Sequence, residues 1–291
     1  MLIDRIDHVV LPVLDLAAAS EPFERLGLKL TPPARHRGQG TENRAFFAGS
    51  GRSQFYVELL AVHDEREAEA AGRTEYLEAA RRGSSLNRVV FGTSDLAKVQ
   101  AGLRQAGMES APYAVVNDSG ETVCEVLPFG AELLGVRAAA IQYEGDLDAR
   151  FERRRANGLL DHDFPLKRLD HLAALAPDLE ATERGWTQIL GVPVHGEIRG
   201  RGIVIRQMKV GDAILELLAP EAADSPMRQR PPGLSSMCAF EVPNLDESVK
   251  FARERGFTPS EPAMGILPGT RTATIPGAEL SGMGLQLLEY V

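Results

Sequence analysis

The chain has 291 residues, 44% of them hydrophobic, and carries 41 acidic against 32 basic side chains for a net charge of −9. That length and composition suffice for one large or two ordinary domains with real cores. The acidic balance gives a nucleic-acid-binding role no electrostatic support, because phosphate recognition wants basic patches. No uninterrupted apolar run approaches the roughly 18 residues that a membrane-spanning helix needs. The start, MLIDRIDHVV, has neither a basic leader nor a cleavage signal, so a cytoplasmic protein is expected. Two cysteines, Cys124 and Cys238, provide no disulfide framework and fit a reducing compartment.

In chain order, residues 6–13 are rich in Val, Ile and Leu and read as a strand covered on both faces. Asp15 is placed to N-cap a helix over 17–26, which Gly27 ends in a left-handed conformation. Three strands follow at 28–30, 44–48 and 54–62, with Gly-rich turns at 38–40 and 49–51. Residues 67–82 read as one charged, Ala-rich connecting helix. Residues 86–143 form a second unit with a helix at 96–106, and 146–157 a surface helix or linker. A third unit runs over 168–220, its helix at 179–190 containing Trp186, and a fourth over 233–291.

These four units are copies. The segments at 6–16, 86–96, 169–179 and 235–245 each carry an apolar strand into Asp or Asn followed by Leu, then a helix, then glycine. The interval from Asp15 to Gly27 recurs unchanged from Asp95 to Gly107 and from Asn244 to Gly256, and lengthens by one from Asp178 to Gly191. Repetition at constant spacing identifies one small unit used four times. A strand–helix–three-strand unit cannot close a sheet alone, whereas two together can wrap into a cup. The chain is therefore expected to be α+β, four βαβββ modules forming two half-open mixed-sheet cups with helices outside. Two two-module domains are expected at 1–160 and 166–291.

Aligning the copies shows where chemistry varies. The equivalent first-strand positions are His8, Arg88, His171 and Met237. The last strands offer Glu58, Gln142, Glu216 and Gln286, so His with Glu alternates with a non-ligand and Gln.

A βαβββ repeat with a His in its first strand and a Glu in its last resembles the vicinal oxygen chelate superfamily, which includes glyoxalase I, methylmalonyl-CoA epimerase, extradiol dioxygenases and bleomycin-resistance proteins. The segment His36-Arg-Gly-Gln-Gly-Thr-Glu-Asn43 ahead of YVELL resembles its glyoxalase-like domains. The resemblance implies a divalent metal (Zn, Ni, Co, Mn or Fe) that holds adjacent substrate oxygens in the cup. On that basis His8, Glu58, His171, Glu216 and Gln286 are the expected metal ligands, and Glu58 and Glu216 the catalytic carboxylates. Arg88, His36, Asn43 and Gln142 are expected to meet substrate.

The match to that pattern is incomplete. Neighbouring modules would place His8, Glu58, Arg88 and Gln142 in one cup and His171, Glu216, Met237 and Gln286 in the other. Pairing outer with inner modules would exchange the second members. Two His with two Glu would require modules one and three to face each other, or a second chain in a homodimer. Arginine has no lone pair for a metal, so Arg88 is expected to pair with Glu58 or clamp a substrate carboxylate. Two functions remain open: a metal-dependent isomerase or lyase acting on a small molecule with adjacent oxygens, dioxygenase chemistry being less favoured, or a metal-free binder of the bleomycin-resistance type. Met237, Phe240 and Trp186 would favour the binder by lining an apolar cleft, and the acidic charge would suit a cationic ligand.

Overall fold

The first strand, β1 (Arg5–Val13), is buried along its whole length, because it is central in its sheet and covered on both faces. The structure is a computed structural model and describes residues 1–116, 119–131, 134–230 and 232–291. After β1 come α1 (Leu16–Leu26), β2 (Ala34–His36), β3 (Thr41–Ala48) and β4 (Phe55–Val62). Two short helices, α2 (Glu65–Ala70) and α3 (Thr74–Arg81), lead to β5 (Arg88–Gly92), α4 (Leu96–Gln105), β6 (Tyr113–Val116), β7 (Thr122–Phe129) and β8 (Ala138–Tyr143). Helix α5 (Leu147–Ala156) crosses to the second half. That half contains β9 (Arg168–Leu175), α6 (Leu179–Ile189), β10 (Val194–Gly200), β11 (Ile203–Val210) and β12 (Ala213–Pro220), then β13 (Gly233–Glu241), α7 (Leu245–Glu254), β14 (Ala263–Met264), β15 (Thr270–Ile275) and β16 (Gly284–Tyr290).

Each half is one eight-stranded mixed sheet, in the orders β2-β3-β4-β1-β5-β8-β7-β6 and β10-β11-β12-β9-β13-β16-β15-β14. The seam between modules is antiparallel, β1 on β5 and β9 on β13, so neighbouring modules pair. The recurring Asp/Asn has a physical role in every copy. Asp15, Asp95, Asp178 and Asn244 accept from the amides of Ala18, Lys98, Ala181 and Glu247 at 2.9, 3.0, 3.0 and 3.0 Å, each capping its module's helix.

The two halves share one apolar core. Phe46 and Phe55 of the first sheet lie 6.2 and 5.9 Å from Phe240 of the second. Trp186 meets Phe91 edge-on at 5.3 Å and donates its indole N–H to the Leu134 carbonyl at 3.0 Å. Trp186 and Phe240 are thus fully buried between the sheets and do not line a cleft, contrary to expectation.

Two other expectations change. The second strand is β2 at Ala34–His36 and not at 28–30, since Pro32 and Pro33 interrupt the extended chain that follows Gly27. The connecting helix is two helices, broken where Gly72 turns left-handed at φ 69°. His162 bridges the halves: its Nδ1 accepts from the Lys29 amide at 2.9 Å and its Nε2 lies 2.6 Å from the Phe47 carbonyl. Burial lowers its pKa, outweighing the Phe47 hydrogen bond that raises it.

Candidate active site in the first cup

The concave face of the first sheet encloses a cavity of about 560 Å³, within the range of small-molecule sites. His8, His36, Asn43, Glu58 and Arg88 all line it. They converge because β1, β3 and β4 are adjacent and their alternate residues point to one face. Along the β1–β4 register, His8 lies opposite Tyr56 and Val10 opposite Glu58.

His8 is held on two sides. Its Nδ1 lies 2.9 Å from Asp7 Oδ1 and its ring stacks on Tyr56 at 4.3 Å. That leaves Nε2 facing Glu58 Oε2 at 3.8 Å. The other carboxylate oxygen, Oε1, accepts from the Asn43 amide and lies 3.8 Å from His36 Nε2. His36 is in turn fixed by Thr41, whose hydroxyl is 2.8 Å from its Nδ1.

Asp7 anchors this network from behind. It accepts from Arg5 Nη2 at 2.8 Å and from the Tyr143 hydroxyl at 2.8 Å, besides His8. Burial would raise its pKa, but the His8 hydrogen bond and the Arg5 charge outweigh it and hold the carboxyl well below the usual range. Tyr143 is pushed up by burial and by Asp7, so it stays a neutral donor. Cys124 also lines the cavity, and burial pushes its thiol up to about 12, which leaves it no nucleophilic character.

The second cup repeats the plan. His171 Nδ1 lies 2.8 Å from Asp170 Oδ1 and its Nε2 3.8 Å from Glu216 Oε2. Burial lowers the His171 pKa, but Asp170 and Glu216 outweigh it and raise it; the Gln286 side chain hydrogen-bonds the same ring. Gln207 donates to Glu216 Oε1 at 3.1 Å, and the Tyr290 hydroxyl to Asp170 Oδ2 at 2.6 Å.

Two sequence expectations fail here. Gln142 does not face the cup: its Oε1 accepts from the Leu96 amide at 2.7 Å, on the side of helix α4. Ile141 and Tyr143 face the cavity instead. The register makes Ala139, opposite Val90, the counterpart of Glu58, just as Gln286 lies opposite Ala239 in the fourth module. Arg88 does not pair with Glu58 either. Its Nη2 binds Glu75 Oε1 at 2.7 Å and its Nη1 the Tyr76 hydroxyl at 2.8 Å, both on α3.

The residues missed by sequence reasoning are Asp7, Tyr143 and their counterparts Asp170 and Tyr290. A signal was present, because Arg-Ile-Asp-His at 5–8 recurs as Arg-Leu-Asp-His at 168–171. Each copy builds the same Arg–Asp–His chain, although Arg168 reaches Asp170 only at 3.6 Å.

These donors do not fit the metal that the resemblance implies. In the first cup the second-module positions are Arg88, a cation, and Ala139, which has no donor. The Asn43 amide, an N–H donor, already occupies the space between His36 and Glu58. In the second cup Met237 replaces one ligand and Gln286 is engaged by His171. Among the described residues no group of three or more His, Cys, Asp or Glu side chains is arranged to hold an ion.

Two cupped βαβββ sheets, each with an Asp–His–Glu wall, define a glyoxalase-type scaffold. Residues 6–140 match the family described as a glyoxalase-like domain, and residues 170–273 match the glyoxalase/bleomycin resistance protein/dioxygenase superfamily. The chain belongs to this vicinal oxygen chelate superfamily. Over 98 residues it is 31% identical to the mitochondrial methylmalonyl-CoA epimerase of Bos taurus, a match covering 31% of this chain and 55% of that protein. Its whole fold is similar to that of a hypothetical protein from Staphylococcus aureus, with a TM-score of 0.66 at 12% identity over 98% of both chains. A mutant of 4-hydroxymandelate synthase from Streptomyces coelicolor gives a TM-score of 0.66 at 17% identity, covering 100% of this chain and 93% of that one.

Proposed function

We propose that the first cup binds a small organic molecule and moves a proton on it, an isomerase- or lyase-type reaction in which Glu58 is the proton-transferring group. The observation that carries this reading is that, among the described residues, Glu58 is the sole carboxylate lining the cavity. Asn43 engages Oε1 and leaves Oε2 directed at His8 and the cavity. The matched stretch of an epimerase is consistent with such chemistry.

In this reading Oε2 takes a proton from a carbon beside a carbonyl, and the C–H electron pair moves into the enolate. Return of the proton on the other face completes an isomerisation; expulsion of a group from the next carbon completes an elimination. His8, oriented by Asp7, relays the proton across from Glu58. Glu216 with His171 is the corresponding pair in the second cup. The steps use only the Glu58 and His8 side chains.

The test is exchange of substrate C–H for deuterium, followed by proton NMR across a panel of carbonyl acids and ketones in D2O. Glu58→Gln should retain binding and lose exchange by about a hundredfold or more. Undiminished exchange in that variant overturns the assignment, as does stoichiometric divalent metal that disappears in His8→Ala. Saturable binding with no exchange across the panel returns the sequestration reading, which the apolar walls of the cup also support.

A further inference from the structure

The protein is acidic, yet the cavity is not. Arg73, Arg88, Arg150 and Arg154 line it, against the one carboxylate, Glu58, among the described lining residues. Arg88 is neutralised by Glu75. The other three have no carboxylate within ion-pair distance among the described residues; Arg73 Nε donates to Gln39 Oε1 at 3.2 Å and Arg150 Nη2 to the Val123 carbonyl at 3.4 Å, both neutral acceptors. Their charge is therefore available to whatever enters.

Two of them come from helix α5, which lies outside the βαβββ modules. Arg150 and Arg154 are one helical turn apart and share a face. That face is fixed on the first sheet: Phe151 between them is fully buried, its carbonyl accepts from Gln54 Nε2 at 3.2 Å, and Asp148 takes a bidentate pair from Arg52 at 3.1 Å. Arg150 lies over the Tyr143 ring at 4.4 Å, and Arg154 over Phe47 at 4.6 Å and Tyr56 at 5.5 Å. Aromatic faces hold a guanidinium plane without using its N–H groups, and Arg150 uses only Nη2, on the Val123 carbonyl. Arg150 Nε is buried with no hydrogen-bond partner, a state that buried donors rarely keep.

We propose that the first cup selects molecules with an apolar or aromatic body and an anionic end, and that Arg150 and Arg154 seat the anion. This rests on the first cup being the ligand site, and it names the substrate class for the reaction proposed there. The body has matching walls: Val10, Leu60, Val90, Val115, Val126 and Ile141 line the same space. The anion, whether carboxylate or phosphate monoester, supplies the counter-charge that the three free guanidiniums lack. The same guanidiniums keep cationic molecules out.

The experiment is isothermal titration of the full-length protein with five probes: phenylacetate, 3-phenylpropionate, phenyl phosphate, neutral phenylacetamide and cationic benzylammonium. The carboxylates or the phosphate should bind about tenfold or more tightly than the amide, as charge-assisted hydrogen bonds imply, and benzylammonium weakest. Arg154→Gln and Arg150→Gln should each erase most of that preference, with unchanged far-UV circular dichroism. Arg155→Gln, on the exposed face of α5 beside Glu152, should leave it intact. The stronger of carboxylate and phosphate identifies the source of the anion. Equal binding of amide and anion, preference for the cation, or a preference that survives both substitutions overturns the inference. Val115→Trp fills the cavity from a half-buried wall, so anion binding that persists in it overturns the cup as the ligand site; amide and anion binding equally but both lost in it overturns only the anionic class.

Discussion

Replacing Asp7 by Asn tests the network that orients the site. Asp7 is 1% exposed and accepts from Arg5 Nε and Nη2 at 3.2 and 2.8 Å, from His8 at 2.9 Å and from Tyr143 at 2.8 Å. Asn preserves shape but removes the charge, and it turns an N–H toward groups that are themselves donors. The Arg5 side chain is only 8% exposed, so its charge cannot escape to water. Breaking a buried pair in this way costs about 3 kcal/mol or more. Asp170→Asn is the internal control. Arg168 is a third exposed, lies 3.6 Å from Asp170, and has a second partner in Glu241 at 2.8 Å; a smaller deficit than at Asp7 is expected, because water and Glu241 still solvate that guanidinium. Urea unfolding reads both, with Trp186 fluorescence for the core shared by the halves and tyrosine fluorescence for the first cup, since four of the five tyrosines line it. Because the Asp7 pKa is depressed on folding, its stabilisation is present above the ordinary carboxylate range and lost only as pH falls through the folded value. The deficit of Asp7→Asn should therefore persist at pH 5. If Asp7→Asn shifts the midpoint no more than Asp170→Asn, the buried-charge reasoning is wrong.

Acidification should weaken the junction between the halves through His162. Its folded pKa is depressed, so its contribution is full above the unfolded value of about 6.5 and is lost as pH falls toward and through the folded value. His162 faces Lys29, Asp161 and Asp163, and Nδ1 must stay unprotonated to accept from the Lys29 amide. Thermal midpoints measured from pH 7 to 5 should fall more steeply in the native protein than in His162→Gln, and parallel slopes would refute this role. Gly40→Ala should cost at least about 2 kcal/mol, because Gly40 sits at φ 64° and an added Cβ would strike the backbone of Asp64 and Ala68. The same change displaces the turn that carries His36, so ligand affinity should drop with stability. A variant as stable as the native protein in chemical denaturation would show that this turn tolerates an outward shift.

The architecture was legible because its repeat is enforced by local physics. Every module needs an N-cap and a left-handed stop at the same spacing, so Asp15, Asp95, Asp178 and Asn244 announce the helices. His8 with Glu58, and His171 with Glu216, were legible for the same reason. Gln142 misled because β8 begins with three alanines, all fully buried. Small residues fit either face, so composition did not reveal which way the strand faces. The reliable marker is the closing tyrosine: Tyr143 and Tyr290 both donate to the Asp that precedes the cup histidine. Counting back from it brings Ala139 into line with Gln286, in agreement with the register.

The charge of the cup was legible to no summed quantity. A net charge of −9 pointed toward cationic ligands, but a molecule inside a cleft responds to charges within about a Debye length, roughly 8–10 Å, and distant surface carboxylates are screened. Which arginines of α5 count is decided by docking. The run Arg153-Arg154-Arg155 reads as a solvated basic stretch, yet burial of Phe151 rotates Arg150 and Arg154 into the cup while Arg155 pairs with Glu152 outside it. One apolar residue in a helix that belongs to neither repeat thus brings two of the positive charges to the site. That is why the decisive measurement compares charge states of one ligand body: affinity alone would be satisfied by the apolar walls.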